Sequence, residues 1–210
     1  MTVTHGAGGG GGTRPTDPEP PAFTIAVESL RSAVTRPEVR LVEVRPPQRL
    51  APYAIAISGS VPVPGAQVED DADDLATGRL VVLHDPEGHE SWNGVTRLVA
   101  YVRADLDPEM AGDPLLASVG WSWLREALEG HGAEFTAAGG TVTRASSESF
   151  GALAEQRATA ELEVRASWTP REQDLTAHLA GWCDLLCYAA GLPPTTPGVA
   201  SLAGARVLRP

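Results

Sequence analysis

The chain has no lysine: all 16 basic residues among its 210 positions are arginine. A P-loop ends in Gly-Lys-Ser/Thr, a pyridoxal enzyme needs a lysine Schiff base, and protein kinases need a strand lysine, so these three chemistries are excluded. The Gly8 to Gly12 run therefore reads as flexible linker and not as a phosphate cradle. Cysteine is scarce as well. Cys183 and Cys187 lie one turn apart in an expected helix, where side-chain directions suit a disulfide poorly and a reducing compartment leaves both as thiols. Long apolar runs are missing: no window reaches the roughly 18 apolar residues of a membrane span. The N-terminus, with Gly8 to Gly12 and Pro15 to Pro21, has no signal-peptide core. A cytoplasmic protein with no membrane partner is the expectation. Positive charge is in deficit, with a net charge of −11 and a pI near 4.8, which argues against nucleic acid or anionic lipid as a partner.

What is present specifies an architecture. Residues 1–20 and 193–210 are expected to be disordered tails, because they are rich in Gly, Pro and Thr or lack a helical pattern. A single domain spans 21–192. Phe23, Val27, Leu30 and Val34 form the apolar stripe of a first helix that Pro37 stops. Val39 to Val44 and Tyr53 to Val61 read as strands separated by Pro46-Pro47, and Val68 to Gly78 as an acidic, solvated loop. Arg79 to His84 and Val95 to Asp105 read as a hairpin, with Asn93-Gly94 as the turn signal. Asp113 and Pro114 open a second helix with Leu116, Val119, Trp123 and Ala127 on its inner stripe and Gly130 and Gly132 at its end.

Two further stretches, Thr141 to Gly151 and Thr159 to Glu172, spell strand, turn, strand and capped helix. Ala160, Leu162, Val164, Ala166 and Trp168 alternate with Thr159, Glu161, Glu163, Arg165 and Ser167, giving one apolar and one polar face. Thr169 reads as an N-cap, Pro170 as the first helical residue and Glu172 as the return partner of a capping box. The helix that follows buries Leu175, Leu179, Trp182 and Leu186 before Gly191 and Pro193 end it. The expected fold is α+β: a mainly antiparallel sheet of five to six strands with three helices packed on it, in the order α-β-β-β-β-α-β-β-α.

Candidate chemistry is thin. His84, Asp85, His89, Glu90 and Trp92 crowd the hairpin loop with ligand types that suit Zn²⁺, yet their spacing matches no helical His pair, and no metal is expected. Ser146, Ser147 and Ser149 could supply a hydroxyl to His84, but no G-x-S-x-G elbow presents one. His178, Cys183 and Cys187 read as core residues. No catalytic residue or cofactor is assigned. The more informative signal is Arg97, Val99, Tyr101 and Arg103 on one face of a strand whose other face is Leu98, Ala100, Val102 and Ala104, with Arg165 on the polar face of another strand. These arginines either pair with Glu161 and Glu163 across strands or present a binding surface.

At LHDPEGHESWNGVTRLV (83–99), DPLLASVGWSWL (113–124), TVTRASSESFG (141–151), RASWTPRE (165–172) and AHLAGWCDLL (177–186), the chain resembles an actinobacterial family, domain-of-unknown-function family 3000, from about Phe23 to Pro194. The resemblance carries over no activity, cofactor or catalytic residue. Family genes often lie near a ribonuclease D-like exonuclease and a haem-pathway decarboxylase, so the resemblance implies a loose link to RNA turnover or housekeeping metabolism. The element order is similar to that of secretion-type chaperones, an analogy of fold that does not fix function. The leading expectation is a non-enzymatic adaptor or chaperone-like module that binds a protein partner or itself, its binding residues being Arg97, Tyr101, Arg103 and Arg165 with His84, His89 and Trp92. The alternatives are a hydrolase or metal-dependent enzyme using the 84–92 loop, and an accessory factor in RNA metabolism.

Overall fold

The computed structural model describes residues 18–64 and 74–194. Strands β1 (Arg40–Val44), β2 (Tyr53–Pro62), β3 (Asp74–His89), β4 (Gly94–Leu106), β5 (Phe135–Ser147) and β6 (Thr159–Pro170) form one sheet. Its order is β1-β2-β3-β4-β6-β5, antiparallel throughout. Helices α1 (Pro21–Ser32), α3 (Leu116–Gly130) and α4 (Thr176–Ala189) pack on it, and a single turn, α2 (Pro108–Ala111), precedes α3. The α+β expectation and its element order hold, with α2 as an addition.

The period-2 pattern decides which face is covered. Ile55 and Ile57 on β2, Leu80 and Val82 on β3, Leu98 and Val102 on β4, and Leu162 and Trp168 on β6 all join the core under the helices. Helix α4 is apolar all round because it lies between sheet and helices, burying Leu179, Trp182, Cys183, Leu185, Leu186 and Cys187. Close approach makes room for it. Gly59 and Gly78 are register partners on β2 and β3, and a Cβ at Gly59 would stand 2.7 Å from Cη2 of Trp182. The two glycines thus floor the indole.

Several local expectations are corrected. The first helix ends at Ser32 and not at Pro37, which leaves Val34 outside it and exposed. Thr169 and Pro170 belong to β6, where Pro170 is the last residue paired with β5, and α4 starts only at Thr176, with Asp174 accepting the Thr176 amide at 2.8 Å. The capping box therefore does not form, since the Thr169 hydroxyl donates to the Trp92 carbonyl instead. The inner stripe of α3 is Leu116, Gly120, Leu124, Ala127 and Leu128: Leu116 and Ala127 are buried as expected, while Gly120 and Leu124 take the places of Val119 and Trp123, because Gly120 lets the helix approach Val142 and Leu162 closely. β3 extends past His84 to His89, and β5 begins at Phe135 and not at Thr141. Of the acidic loop, Asp74 to Gly78 lie in β3, while Val68 to Asp73 fall outside the described residues, as do most of the expected tails.

Candidate interaction surface

The helices cover one face of the sheet only. On the other, a small cluster of Ala56, Val81 and Leu83 is roofed by Ala51 and Trp92. From β4 to β5, among the described residues, no helix lies above the strands, and Val99 stays 38% exposed. Tyr101 faces Arg165 in the β4–β6 register, and Arg103 faces Glu163.

This open face carries a cross-strand ladder. The Tyr101 hydroxyl donates to Glu163 at 3.0 Å, Arg165 reaches the same carboxylate at 2.9 Å, and the Arg165 guanidinium sits 5.8 Å from the Tyr101 ring centroid. Arg103 pairs with Glu161. Of the expected cross-strand ion pairs, Arg103 to Glu161 forms between β4 and β6, whereas Arg165 pairs with Glu163 along its own strand; Arg103 and Arg165 nevertheless remain about half exposed or more, at 49% and 64% of their side chains. Exposed pairs of this kind contribute at most about 1 kcal/mol each, so they hold the arginines in place more than they stabilise the fold. Partial burial, then the bond to Glu163, pushes the Tyr101 phenol above its usual range, and the bond to Glu161 raises Arg103. Arg79 on β3, directly across from Tyr101, has no hydrogen-bond or ion-pair partner among the described residues.

Arg97 is placed differently. Its Nη1 donates to the Ala137 carbonyl at 2.9 Å and to the Thr169 hydroxyl at 3.0 Å, and its Nη2 to the Ser167 hydroxyl at 2.7 Å. Ala137 has φ of 50° and lies in a β-bulge between Thr136 and Gly139. Arg97 therefore fastens a bulge across two strands, and desolvation lowers its pKa. A neutral hydrogen-bonding environment was not readable from its position in the sequence, because nothing there signals the bulge.

The hairpin-loop residues do not form one cluster. His84 is buried on the helix side, stacked 5.7 Å from Phe23 and bonded through Nδ1 to the Thr96 hydroxyl at 2.8 Å, and burial lowers its pKa. His89 stacks on Trp92 at 5.2 Å, and Trp92 packs on the open face, so the sheet separates that pair from His84. Asp85 accepts the Glu87 amide at 3.0 Å. Ser146 and Ser147 lie at the opposite end of the strands: Ser146 pairs with Ala160, which pairs with Leu106, whereas His84 pairs with Thr96. Ten residues of β4 separate the two ends, about 33 Å. Serine and histidine are not brought together.

Other features stand apart from this face. A cleft of about 520 Å³ at the Thr96 end is lined by Asn93, Gly94, Thr136, Thr169 and Gln173 among others. In the core, Trp168 Nε1 donates to His178 Nδ1 at 3.1 Å, which leaves His178 Nε2 as a buried N–H with no partner among the described residues. Burial lowers the His178 pKa to about 4. Cys183 and Cys187 are buried free thiols. Asp184 is held between Arg36 at 3.4 Å and His131 at 2.8 Å, tying the end of α3 to α4. Among the described residues, no group of three His, Cys, Asp or Glu side chains converges for a metal, and no helix is long and apolar enough to cross a membrane.

No curated protein and no solved structure matches the chain. The family model described as "Protein of unknown function (DUF3000)" matches residues 19–200, which takes in every strand and helix described above. The chain belongs to the DUF3000 family.

Proposed function

We propose that this chain is a cytoplasmic, non-enzymatic binding module, adaptor-like or chaperone-like, that receives a protein partner on the open face of its sheet. One observation carries the reading: among the described residues, six strands are covered by helices on one side only, and the other side presents Tyr101, Arg103, Arg165 and Val99 in fixed positions, with Arg79 beside them and without a partner there. Arginine and tyrosine are the residues enriched at protein contacts, and a guanidinium already aligned on a strand loses little freedom on binding. The matching partner surface carries carboxylates beside apolar groups. It would exchange with Glu161 and Glu163 for the guanidinium forks. Arg97, whose donors are engaged within the sheet, shapes the face and is not its contact residue.

The test is the double substitution Arg103→Glu, Arg165→Glu, which reverses two charges on solvent-exposed positions. Proteins co-purifying from the native cell are compared between wild type and variant, and any protein lost with the variant is then titrated against purified wild type. Retention of the same set by the folded variant would sink the proposal. A partner lost from the variant and bound directly by the wild type sustains it.

A further inference from the structure

The sheet ends in two edges that differ in kind. β1 is five residues long, carries Arg40 and Glu43, and is bracketed by Pro37 and Pro46-Pro47, so it is a guarded edge. β5 is 13 residues long, FTAAGGTVTRASS, has no proline and no acidic residue, and is exposed along most of its length. Its one charge, Arg144, is turned to the helix side, where Nη1 donates to the carbonyls of Ala111 and Asp113. An edge of that length and neutrality is a template for another strand.

We propose that β5 pairs antiparallel with β5 of a second copy of this chain about a two-fold axis at Thr143, joining two sheets into one. The register selects that axis. The bulge at Ala137 interrupts β5, and from Gly139 to Ser147 the pairing with β6 is unbroken, a run of nine residues whose midpoint is Thr143. Nine residues extend about 30 Å. With the axis there, Val142 meets Arg144, Thr141 meets Ala145, Gly140 meets Ser146 and Gly139 meets Ser147, so no like charges oppose each other. An axis at Arg144 would set two guanidiniums face to face, and one at Val142 would leave Ser146 and Ser147 without partners inside the run. Pairing through β5 also closes the assembly, because only the guarded β1 edges then face outward. An extended peptide would fit the same edge but would not explain a run centred on a residue able to face itself.

The pairing brings the two open faces together side by side, with β5 of each copy at the axis and β6 one strand behind it. It does not depend on what those faces bind: Arg103→Glu, Arg165→Glu leaves the dimer intact.

The experiment is sedimentation velocity across a concentration series, with circular dichroism to confirm folding. Wild type is expected at twice the 22.0 kDa chain mass. Thr143→Lys opposes two ammonium groups across the axis and shifts the equilibrium toward monomer by roughly tenfold or more. Within its own sheet the new lysine faces Glu163, so the monomer keeps its fold. Thr143→Glu is also expected to be monomeric, and an equimolar mixture of the two variants restores a dimer. Hydrogen exchange on the wild type gives a readout free of substitutions, with amides in 139–147 gaining protection as concentration rises. A monomeric wild type, including one that takes up an extended peptide at β5, overturns the proposal. So does a dimer that survives in both variants, a mixture that stays monomeric, or exchange in β5 that ignores concentration.

Discussion

Replacing Gly59 by alanine tests how α4 is seated. The added Cβ would lie 2.7 Å from Cη2 and 3.1 Å from Cζ3 of Trp182, and 2.9 Å from Cδ1 of Leu186. Carbon pairs prefer about 3.5–4.0 Å, so the indole and the leucine must each retreat by most of an ångström. Both side chains are fully buried, with α4 packed behind them. Overpacking of this kind costs about 1–3 kcal/mol, and the gain from replacing glycine in a strand returns roughly 0.5–1 kcal/mol. A net loss of about 1–2 kcal/mol is expected, or about 2–8 °C in Tm for a domain of this size. Urea unfolding followed by circular dichroism reads it as a lower midpoint with unchanged slope. The cause is isolated by Trp182→Phe, whose smaller ring withdraws the offending atoms. That substitution also deletes Nε1, a buried N–H with no partner among the described residues, so part of its cavity cost of about 1–2 kcal/mol is offset. The double variant is expected to match Trp182→Phe alone, a coupling of about 1–2 kcal/mol. If the two costs simply add, the proposed contact between Gly59 and the indole is not what constrains this position.

Two more predictions concern groups inside the sheet and core. Burial lowers His178 to about 4, below its unfolded value of about 6.5, so the folded state resists protonation. Stability is fully present above pH 6.5, falls as pH drops from there to about 4, and levels off below; the loss is on the order of 3 kcal/mol, and His84 adds to it in the same direction. His178→Gln is expected to flatten that slope in pH-dependent urea unfolding, and an unchanged slope would refute the assignment. Arg97→Ala removes three hydrogen bonds across β4, β6 and the bulge, and is expected to cost about 1–2 kcal/mol and to speed amide exchange around Ala137. Arg97→Lys rescues neither, because an ammonium cannot span the same acceptors; full rescue by lysine would contradict the geometry.

Period-2 and helical patterning made most of the architecture legible. The apolar faces of β4 and β6 are readable residue by residue, and so is the stripe of Leu179, Trp182 and Leu186 on α4, since burial on a fixed face is what those patterns encode; the burial of α4 on its other sides, Gly181, Asp184 and Leu185 included, is not. Long-range demands on single side chains were hidden. Thr169 and Glu172 fit a capping box locally, yet the Thr169 hydroxyl is claimed by Trp92 and Arg97 from 72 or more residues away. Gly120 sits on the inner stripe of α3 because a small residue is needed against Val142, a requirement hydrophobicity cannot report. The start of β5 at Phe135 is hidden in the sequence because Ala137 to Gly140 have weak strand preference; pairing with β6 on one side and the Arg97 bond to the bulge supply what propensity does not. The candidate face was visible as an arginine and tyrosine alternation, but the division between Arg97, which ties strands, and Arg103 and Arg165, which remain exposed, depends on cross-strand neighbours.

The two cysteines give the molecule a gauge of its own opening. They are its only thiols, both sealed within α4, and burial raises Cys187 to about 12 and Cys183 well above its ordinary value. Alkylating reagents attack the thiolate, so the closed protein is inert to them at neutral pH and becomes reactive only when α4 leaves the sheet. Mass added per unit time under excess reagent therefore counts excursions of the whole core, without a dye or an engineered label. Because Cys183 and Cys187 share one helix, modification is expected to arrive in pairs, and the ratio of doubly to singly labelled chains reports whether α4 departs as a unit or peels from one end.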